Sequence, residues 1–396
     1  MLNKKMIEYG ENSSVIRELF EYGNKRKAEI GADKVYDFSI GNPNVPCPQE
    51  ITDTLVRLLA GSEPTALHGY TSAAGDMGVR QKIASYMNEK YSLDVSADYI
   101  YMTVGAAASL TITLRALTEP GEEVIVLAPY FPEYKVFAEN ADANVREVMV
   151  RQDNFQIDFD ALEEAVTEKT ASIIVNSPNN PTGAVLNEET LLKLGDFLRE
   201  KQEKYGRKIY LISDEPYREL VYQDTELALP IKYYENTIVC YSYSKSLSLP
   251  GERIGYILVS PKADLSKTIF VAICGAGRSL GYVCAPSLMQ KMVGENQGVV
   301  SDIKVYARNR ELMSDIMRNC GFETVRPDGA FYIFVKSPSG DGNEFSERAK
   351  AHELLIVPSD SFGMKGFVRI SYCVSSEQIK ASEAAFKELA AEYGLI

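Results

Sequence analysis

Two polar residues follow neighbouring apolar runs of the sequence. Asp214 directly follows the run Ile209–Ser213, and Lys245 lies just beyond the run Thr237–Ser242. A lysine at the mouth of a buried sheet is desolvated, which lowers its pKa and frees the amine as a nucleophile for aldehydes. An acid that ends an apolar strand is costly to bury unless it is paired. Taken singly, Asp214 is equally compatible with a turn cap, and Lys245 with a solvated loop residue.

The groups around this lysine suit a phosphate. The hydroxyls of Ser242 and Ser244 precede it, and Arg253 follows eight residues later with a guanidinium that can grip phosphate oxygens in pairs. The segment Gly105–Ala107 opens a predicted helix, so its small side chains expose backbone N–H groups to an anion. Small residues at this point also serve close helix packing, and both interpretations stay open.

Two further side chains are candidates for binding oxygen anions. Asn180 lies in the segment Ser177–Gly183, where its amide can donate to an anion, although Asn-Pro-Thr-Gly is also ordinary turn chemistry. Arg369 lies inside the apolar run Phe367–Ser371 and, if buried, needs either a structural or a substrate carboxylate as its partner. An aldehyde-reactive amine, a phosphate cradle, an acid, an amide donor and a carboxylate-binding guanidinium are together the groups that pyridoxal phosphate chemistry needs.

Three motifs, in this order and spacing, make the chain resemble a known family. They are Asn-Pro-Thr-Gly at 180–183, Asp-Glu-Pro-Tyr at 214–217, and Ser-x-Ser-Lys at 242–245 followed by Gly-x-Arg-x-Gly at 251–255. Over essentially its whole length the chain is similar to the fold-type I, class I/II aminotransferases of the aspartate aminotransferase superfamily. The resemblance implies the type I fold of PLP-dependent transferases, pyridoxal 5'-phosphate (PLP) as cofactor, and a homodimer with active sites at the interface. It also implies transfer of an α-amino group from an L-amino acid to a 2-oxo acid such as 2-oxoglutarate by a ping-pong mechanism.

The resemblance also implies catalytic roles. Lys245 would hold the cofactor through its amine and then shuttle the proton between the substrate α-carbon and the cofactor. Asp214 would pair with the pyridinium nitrogen, while Asn180 and Tyr217 would hydrogen-bond the ring oxygen, with a cis peptide bond before Pro181. Lys245, Asp214 and Tyr217 are therefore the expected catalytic residues.

The remaining implied contacts bind the cofactor and the substrate. Phe131 would stack on the cofactor ring, while neighbouring Tyr130 packs against the protein. Arg369 would grip the substrate α-carboxylate, helped by Gly41 and Asn180. The residues implied at the phosphate are Gly105, Ala106, Ala107, Ser242, Ser244 and Arg253, with Tyr70 lent across the homodimer.

The expected amino donor depends on Arg278. Bacterial relatives that act on dicarboxylates often carry a lysine two residues after the phosphate-site glycine, and this chain has Ala107 there. Arg278 follows Lys245 by 33 residues, close to where other family members place an arginine that reaches the neighbouring subunit's site. If Arg278 does so, aspartate or glutamate is expected as donor, with aspartate the leading interpretation. If it is a surface loop arginine, the pocket is expected to prefer apolar or aromatic amino acids.

Two other functions would use the same cofactor. A cysteine-conjugate β-lyase would release keto acid and ammonia without forming pyridoxamine. A non-catalytic PLP-binding protein is the second alternative, although the sequence offers no basic helix of a DNA-binding extension and retains Lys245.

Composition excludes several classes of function. The chain has 42 Lys plus Arg against 55 Asp plus Glu, and its net charge of -13 opposes binding to nucleic acid or to an anionic membrane surface. With only two histidines, sites that bind zinc through histidine are nearly excluded, and no metal is expected. The six cysteines form no CxxC pair, and no apolar leader or membrane-spanning run is visible. These features favour a cytoplasmic location.

The hydrophobic pattern predicts the elements that must position these residues. Between residues 45 and 290, helical patterns alternate with short apolar runs, which predicts an α/β domain with a largely parallel sheet flanked by helices. The pattern after residue 290 predicts a smaller α+β domain. The expected organisation is an N-terminal segment (1–44) that joins the small domain, a large PLP-binding domain (45–290) and a small C-terminal domain (291–396).

Individual elements are predicted from caps and apolar runs. The predicted helices cover residues 13–30 with Ser13 or Ser14 as cap, a segment capped by Asn187, residues 297–319, and a last segment that begins at Ser375. The predicted strands are Val35–Ile40, Tyr99–Val104, Val124–Leu127, Ile173–Asn176, Ile209–Ser213, Thr237–Ser242, Arg253–Val259, Gly329–Lys336, Leu354–Val357 and Phe367–Tyr372.

Overall fold

The computed structural model describes residues 2–11, 15–222 and 225–396. Short strands alternate with helices along most of this length, as expected for an α/β protein. The strands are β1 (Tyr36–Asp37), β2 (Ile100–Thr103), β3 (Glu123–Ala128), β4 (Asn144–Met149), β5 (Thr170–Asn176), β6 (Tyr210–Asp214), β7 (Thr237–Ser242), β8 (Gly255–Val259), β9 (Tyr332–Lys336), β10 (Leu354–Leu355), β11 (Val357–Pro358) and β12 (Phe367–Ser371).

The helices precede, connect and follow these strands. They are α1 (Lys4–Glu11), α2 (Val15–Ile30), α3 (Gln49–Gly61), α4 (Pro64–His68), α5 (Met77–Tyr91), α6 (Ala106–Leu117), α7 (Glu133–Asn140), α8 (Phe159–Ala165), α9 (Glu188–Tyr205), α10 (Tyr243–Ser246), α11 (Ser266–Ser279), α12 (Ser287–Glu295), α13 (Ile303–Asn319), α14 (Gly342–Ala351) and α15 (Ser376–Glu392). Within the described ranges, none of these helices combines the length and the apolar character that crossing a membrane requires.

Seven strands form the main sheet, in the order β2-β8-β7-β6-β5-β3-β4. All neighbouring pairs are parallel except those of β8, which is antiparallel to both β2 and β7. The amino end of β8 therefore lies beside the carboxyl ends of its neighbours, with Gly255 opposite both Thr103 and Ser242. Ligands of open α/β sheets bind outside the carboxyl ends of the strands, so this edge can also draw on residues that precede β8.

The central strands are buried on both faces because helices cover them. Every residue of β5 and of β7 is buried, and such continuous burial is typical of a parallel sheet between two helix layers. Helix α9, one of these covering helices, has both of its ends defined by specific residues. The Asn187 side chain accepts a hydrogen bond from the Thr190 amide, and Gly206 ends the helix in the left-handed conformation. The cap predicted at Asn187 is confirmed.

A smaller unit is built on the antiparallel sheet β11-β12-β9. Its central strand places Arg369 opposite both Val357 and Phe334. The two-residue strand β1 pairs in parallel with β10, with Tyr36 opposite Leu354, so the chain before residue 44 touches this unit. The limits 1–44, 45–290 and 291–396 stay predictions.

The structure corrects the boundaries of several predicted elements. The helix predicted over residues 297–319 begins only at Ile303, because Gly298 has a positive φ of 83° and Asp302 caps the helix. The strand predicted over residues 354–357 is wrong, since its halves belong to two different sheets. The strands predicted from residues 35, 253 and 329 are shorter and begin at Tyr36, Gly255 and Tyr332.

One strand is missing from the prediction altogether. Strand β4 lies at the edge of the main sheet and keeps most of its side chains exposed, so its sequence contains no continuous apolar run. The final helix begins as predicted, with the Ser375 side chain accepting a hydrogen bond from the Gln378 amide. The other predicted cap, Ser13 or Ser14, lies outside the described residues, and helix α2 is described from Val15 onward.

Candidate active site

A cavity of about 300 Å³ opens at the carboxyl edge of the main sheet. Strands β5, β6 and β7 end here, at Asn176, Asp214 and Ser242 respectively. The cavity wall is completed by Arg369 from the smaller unit and by Gly41 from the segment after β1. The predicted site residues that line the cavity are Gly41, Ala106, Ala107, Phe131, Asn180, Asp214, Tyr217, Ser242, Ser244, Lys245, Arg253 and Arg369.

Lys245 presents its amine inside this cavity. It lies on the single-turn helix α10, directly after β7, and its Nζ donates a hydrogen bond of 2.6 Å to the carbonyl oxygen of Gly41. Burial lowers the pKa of Lys245 to about 8, and the positive charges of Arg369 and Arg253 act in the same direction. A pKa near 8 leaves a substantial neutral fraction at physiological pH, and the neutral amine is the nucleophilic form.

Asp214 is buried, with 4% of its surface exposed. The Tyr134 hydroxyl donates a hydrogen bond of 2.5 Å to Oδ2, whereas Oδ1 has no hydrogen-bond partner among the described residues. Burial raises the pKa of Asp214 to about 7, and the bond from Tyr134 opposes that rise. The carboxyl group is thus fixed through one oxygen and free to bind a cationic group through the other.

The sequence analysis missed Tyr134. This residue lies in the first turn of α7, three positions after Phe131, and its fully buried hydroxyl reaches across to the end of β6. The signal that would have found it is its place after β3, because residues that follow parallel strands meet at one edge of the sheet.

A phosphate-sized group of donors lies beside the lysine. The Ser242 and Ser244 hydroxyls are 2.7 Å apart, and Arg253 Nη1 donates to Ser244 Oγ at 3.3 Å. Helix α6 points its amino terminus here, and Gly105 precedes it with a positive φ of 95°. A Cβ at Gly105 would lie 2.8 Å from Arg253 Nη2, so glycine makes room for the guanidinium. Hydroxyls, a guanidinium and a helix amino terminus are well suited to a phosphate.

Arg369 is a buried cation, with 2% of its surface exposed, that pairs with no carboxylate of the described residues. Its Nη1 donates to Asn180 Oδ1 at 3.0 Å and its Nη2 to the Ser39 carbonyl at 2.5 Å, both neutral acceptors. Its Nε has no partner within the described ranges. Burial lowers the pKa of Arg369, because desolvation disfavours the charged guanidinium. The remaining charge is available to a carboxylate ligand.

Tyr217 and Asn180 lie between these charged groups. The Tyr217 hydroxyl is 2.9 Å from the hydroxyl of Tyr332, and the backbone N–H of Asn180 donates to Asn176 Oδ1 at 2.8 Å. The peptide bond between Asn180 and Pro181 is cis, as predicted. Tyr332 was not predicted as a site residue because its sequence context is that of an ordinary apolar residue in strand β9.

Three predicted residues do not line the cavity. Gly105 precedes helix α6, beside Arg253. Tyr70 follows helix α4 and is 99% exposed. Arg278 lies in the last turn of α11, where it is also exposed. The interpretation of Arg278 as a loop residue is therefore wrong in its local structure. Its predicted reach into a neighbouring subunit, and that of Tyr70, stay predictions.

The donor set fits pyridoxal phosphate on grounds of geometry. The unpartnered Oδ1 of Asp214 suits a protonated ring nitrogen, the Ser242–Arg253 cluster suits the phosphate, and Lys245 suits the aldehyde. Phe131, in the same wall, offers an aromatic face for the ring. Within the described part of the chain, no three His, Cys, Asp or Glu side chains cluster as a metal site would require.

Comparisons with known sequences agree with this chemistry. The profile of the family Aminotransferase class I and II matches residues 33–384, a range that contains every predicted site residue from Gly41 to Arg369. A probable aspartate aminotransferase from Methanocaldococcus jannaschii is 29% identical over 384 residues, which is 95% of this chain and 96% of the relative. An aspartate aminotransferase from Pyrococcus horikoshii is 31% identical over 92% of both chains.

Solved structures resemble the chain over nearly its full length. An aminotransferase from Eubacterium rectale superposes with a TM-score of 0.98, is 52% identical and is covered to 99%, as is this chain. An aspartate aminotransferase from Thermus thermophilus, solved with maleate, has a TM-score of 0.87 and 26% identity over 98% of this chain and 99% of its own. The similarity therefore extends over both the main sheet and the smaller unit.

Proposed function

Because the chain belongs to the class I and II aminotransferase family, we propose that it moves the α-amino group of an aspartate-like L-amino acid to a 2-oxo acid such as 2-oxoglutarate. The family depends on pyridoxal phosphate, and the fold is the type I fold of PLP-dependent transferases. The chain is thus a PLP-dependent transferase. The β-lyase and the non-catalytic alternatives have no support among these relatives.

One observation carries this proposal: Arg369 is a buried cation, oriented by neutral acceptors, beside a lysine whose pKa is about 8. Amino acids and 2-oxo acids share a carboxylate next to the reacting carbon. A guanidinium that holds this carboxylate places the neighbouring Cα near Lys245. The two residues thereby define where both substrates of a transamination would bind.

The cofactor and the protein divide the chemistry. When bound, pyridoxal phosphate supplies an aldehyde that condenses with amines and a ring that stabilises negative charge at Cα. Lys245 Nζ, with a pKa of about 8, is a base that accepts the Cα proton and later returns one. Holding base and proton together replaces a bimolecular encounter, which is a large part of the expected rate enhancement.

Other residues hold the participants in place. Asp214 Oδ1 would bind the protonated ring nitrogen, with Tyr134 fixing the carboxyl group from behind. Ser244 and Arg253 would bind the phosphate, and Phe131 would pack against the ring and exclude water from that face. The Tyr217 hydroxyl, already held by Tyr332, would donate to the ring oxygen.

The preference for an aspartate-like donor rests on a second copy of the chain. Lys245, Arg253 and Arg369 each have a role already, and no other basic side chain of the described residues lines the cavity. A distal carboxylate therefore needs a cation from outside, and we propose Arg278 of a homodimer partner. The names of the relatives above and the maleate bound to the Thermus protein, itself a dicarboxylate, support this choice.

Exposed apolar side chains support the homodimer. Val271 is exposed on the same helix as Arg278, and Tyr282 and Val283 are exposed just after it. This segment adjoins Tyr70, because the Cys284 thiol contacts the carbonyl oxygen of Thr71 at 3.6 Å. Apolar groups that cluster on a surface mark a protein interface. A homodimer contact through this surface would bring Tyr70 and Arg278 to the partner's cavity.

The experiment measures transfer from L-aspartate and from L-alanine by the wild type and by Arg278→Ala, with the acceptor 2-oxoglutarate kept saturating for each protein because it too carries a distal carboxylate. Loss of an ion pair to the distal carboxylate should raise the KM for aspartate by about 10- to 100-fold and leave the KM for alanine unchanged. The control is Arg318→Ala, which removes an exposed arginine on α13 that pairs with Asp315. A wild type that reacts with alanine but not with aspartate would refute the proposed donor, and equal effects on both donors would refute the role of Arg278.

A further inference from the structure

A short backbone segment of residues 37–42 holds two of the cavity's three cations through its carbonyl groups. The carbonyl of Ser39 accepts from Arg369 Nη2 at 2.5 Å, and that of Gly41 accepts from Lys245 Nζ at 2.6 Å. Both are neutral acceptors that orient a cation without neutralising it. The position of this segment therefore determines where the carboxylate-binding group points.

Asp37 anchors the beginning of this segment. Its Oδ1 accepts two hydrogen bonds from Ser39, one from the backbone N–H at 3.1 Å and one from the hydroxyl at 2.6 Å. A side chain that accepts from the amide two residues later fixes the intervening backbone as a turn. The Ser39 carbonyl is thereby held at the side of Arg369.

The carboxylate of Asp37 also forms an ion pair. Its Oδ2 accepts from Lys27 Nζ of helix α2 at 2.6 Å, and only 5% of the Asp37 side chain is exposed. Gly23 of the same helix makes room for this pair, since a Cβ there would lie 3.0 Å from Asp37 Oδ2. Lys27 and Ser39 together occupy both oxygens of Asp37.

From this geometry we propose that Asp37 is a positioning residue for substrate binding, which fixes the Ser39 carbonyl, orients Arg369 and so sets the affinity for the α-carboxylate. The inference rests on the proposed function, because it assumes that Arg369 binds the substrate. Asp37 touches neither cofactor nor substrate and acts through Ser39. Its loss should weaken the binding of donors that carry an α-carboxylate and leave donors without one unaffected.

The test uses the full-length protein loaded with pyridoxal phosphate and single-turnover kinetics with two donors. L-Aspartate carries an α-carboxylate, and β-alanine is the same molecule without it. Asp37→Ala should raise the apparent dissociation constant for aspartate about tenfold, the equivalent of one hydrogen bond to a charged group. The rate with β-alanine should stay within about twofold of the wild type, because this donor has no α-carboxylate for Arg369 to hold.

Companion variants keep the test informative. Ser39→Ala removes the 2.6 Å bond but leaves the ion pair of Asp37 with Lys27, and carries the test if Asp37→Ala fails to fold. Ser39→Ala should raise the apparent dissociation constant for aspartate by a smaller factor and leave the kinetics with β-alanine unchanged. The control, Glu163→Ala, removes the carboxylate partner of the buried Lys201 at a distance of 2.5 Å and should change neither donor's kinetics.

The outcomes separate the inference from the function on which it rests. An unchanged dissociation constant for aspartate in both variants would overturn the positioning role, as would equal losses with aspartate and β-alanine, which indicate general loosening of the site. Failure of the proposed function looks different, since the wild type itself would then neither react with aspartate nor bind maleate in a calorimetric titration.

Discussion

Replacing Tyr134 by phenylalanine removes one hydroxyl and leaves the ring that packs behind Asp214. The hydroxyl donates to Asp214 Oδ2 at 2.5 Å, and both residues are buried. The pKa of Asp214 rises from 3.8 to about 7, mainly through burial, although the bond from Tyr134 lowers it. At about 1.4 kcal/mol per pH unit, this rise means that ionising Asp214 costs about 4 kcal/mol more than it does in water.

The variant should raise the pKa of Asp214 further. A hydrogen bond to a charged group contributes about 1.5–3 kcal/mol, which corresponds to about 1–2 pH units. The pKa shifts upward because the hydrogen bond stabilises the carboxylate form of Asp214, and its loss favours the protonated form. Below the pKa, Asp214 is neutral and loses its attraction for a protonated ring nitrogen. Binding of the cofactor should therefore weaken as the pH falls, with a midpoint near 7 in the wild type and about 1–2 pH units higher in Tyr134→Phe.

The assay titrates the cofactor-free protein with pyridoxamine 5'-phosphate between pH 5 and about pH 10 and follows binding by calorimetry. This ligand lacks the aldehyde, so the titration of Lys245 does not enter through covalent attachment. The ligand's own ionisations are the same for both proteins and cancel in the comparison. The control is Tyr130→Phe, which removes a buried hydroxyl that donates to Glu147 at 2.9 Å and does not touch Asp214. Equal midpoints in the wild type and Tyr134→Phe, or a shift to lower pH, would refute the reasoning.

Three further predictions concern the lysine and the segment that faces it. Lys245→Ala should bind the cofactor without covalent attachment and lose transamination, and a variant that still transaminated would contradict the assigned base. Covalent attachment of pyridoxal phosphate to the wild-type protein should accelerate with rising pH around a midpoint near 8, because the Lys245 amine is mostly neutral above its lowered pKa. Stopped-flow absorbance measures the rate of attachment. A midpoint above about pH 10 would contradict the burial of the amine. Gly41→Ala should lower activity at least about tenfold, since its Cβ would clash with the Tyr332 hydroxyl. Gly10→Ala, on helix α1 where a Cβ would meet nothing within 4 Å, should keep full activity in the same assay.

The sequence predicts the composition of the site better than its geometry. Residues that end parallel strands must meet at one edge, so Asp214, Ser242 and Asn180 were expected together, and they line one cavity. Tyr134 and Tyr332 escaped prediction for a different reason. Each belongs to an element with its own packing, and only the tertiary arrangement turns its hydroxyl toward another site residue.

For the fold, too, local sequence patterns were predictable and features that depend on tertiary contacts were not. Strands buried on both faces were found because they are continuous apolar runs, as in Thr237–Ser242, whose predicted bounds are confirmed. The edge strand Asn144–Met149 was missed because pairing with a single neighbour requires no apolar surface. Asp37 and Lys27 lie ten residues apart on different elements, and nothing in their spacing indicates the ion pair between them.

The most direct test of the central claim is a single-turnover spectrum. The purified protein is saturated with pyridoxal phosphate, freed of excess cofactor and mixed with L-aspartate in the absence of any 2-oxo acid. The absorption band of the lysine-bound cofactor should disappear, and the pyridoxamine form and one equivalent of 2-oxo acid should appear. A cofactor band that L-aspartate leaves unchanged would contradict this, as would the absence of any lysine-bound cofactor band at the start.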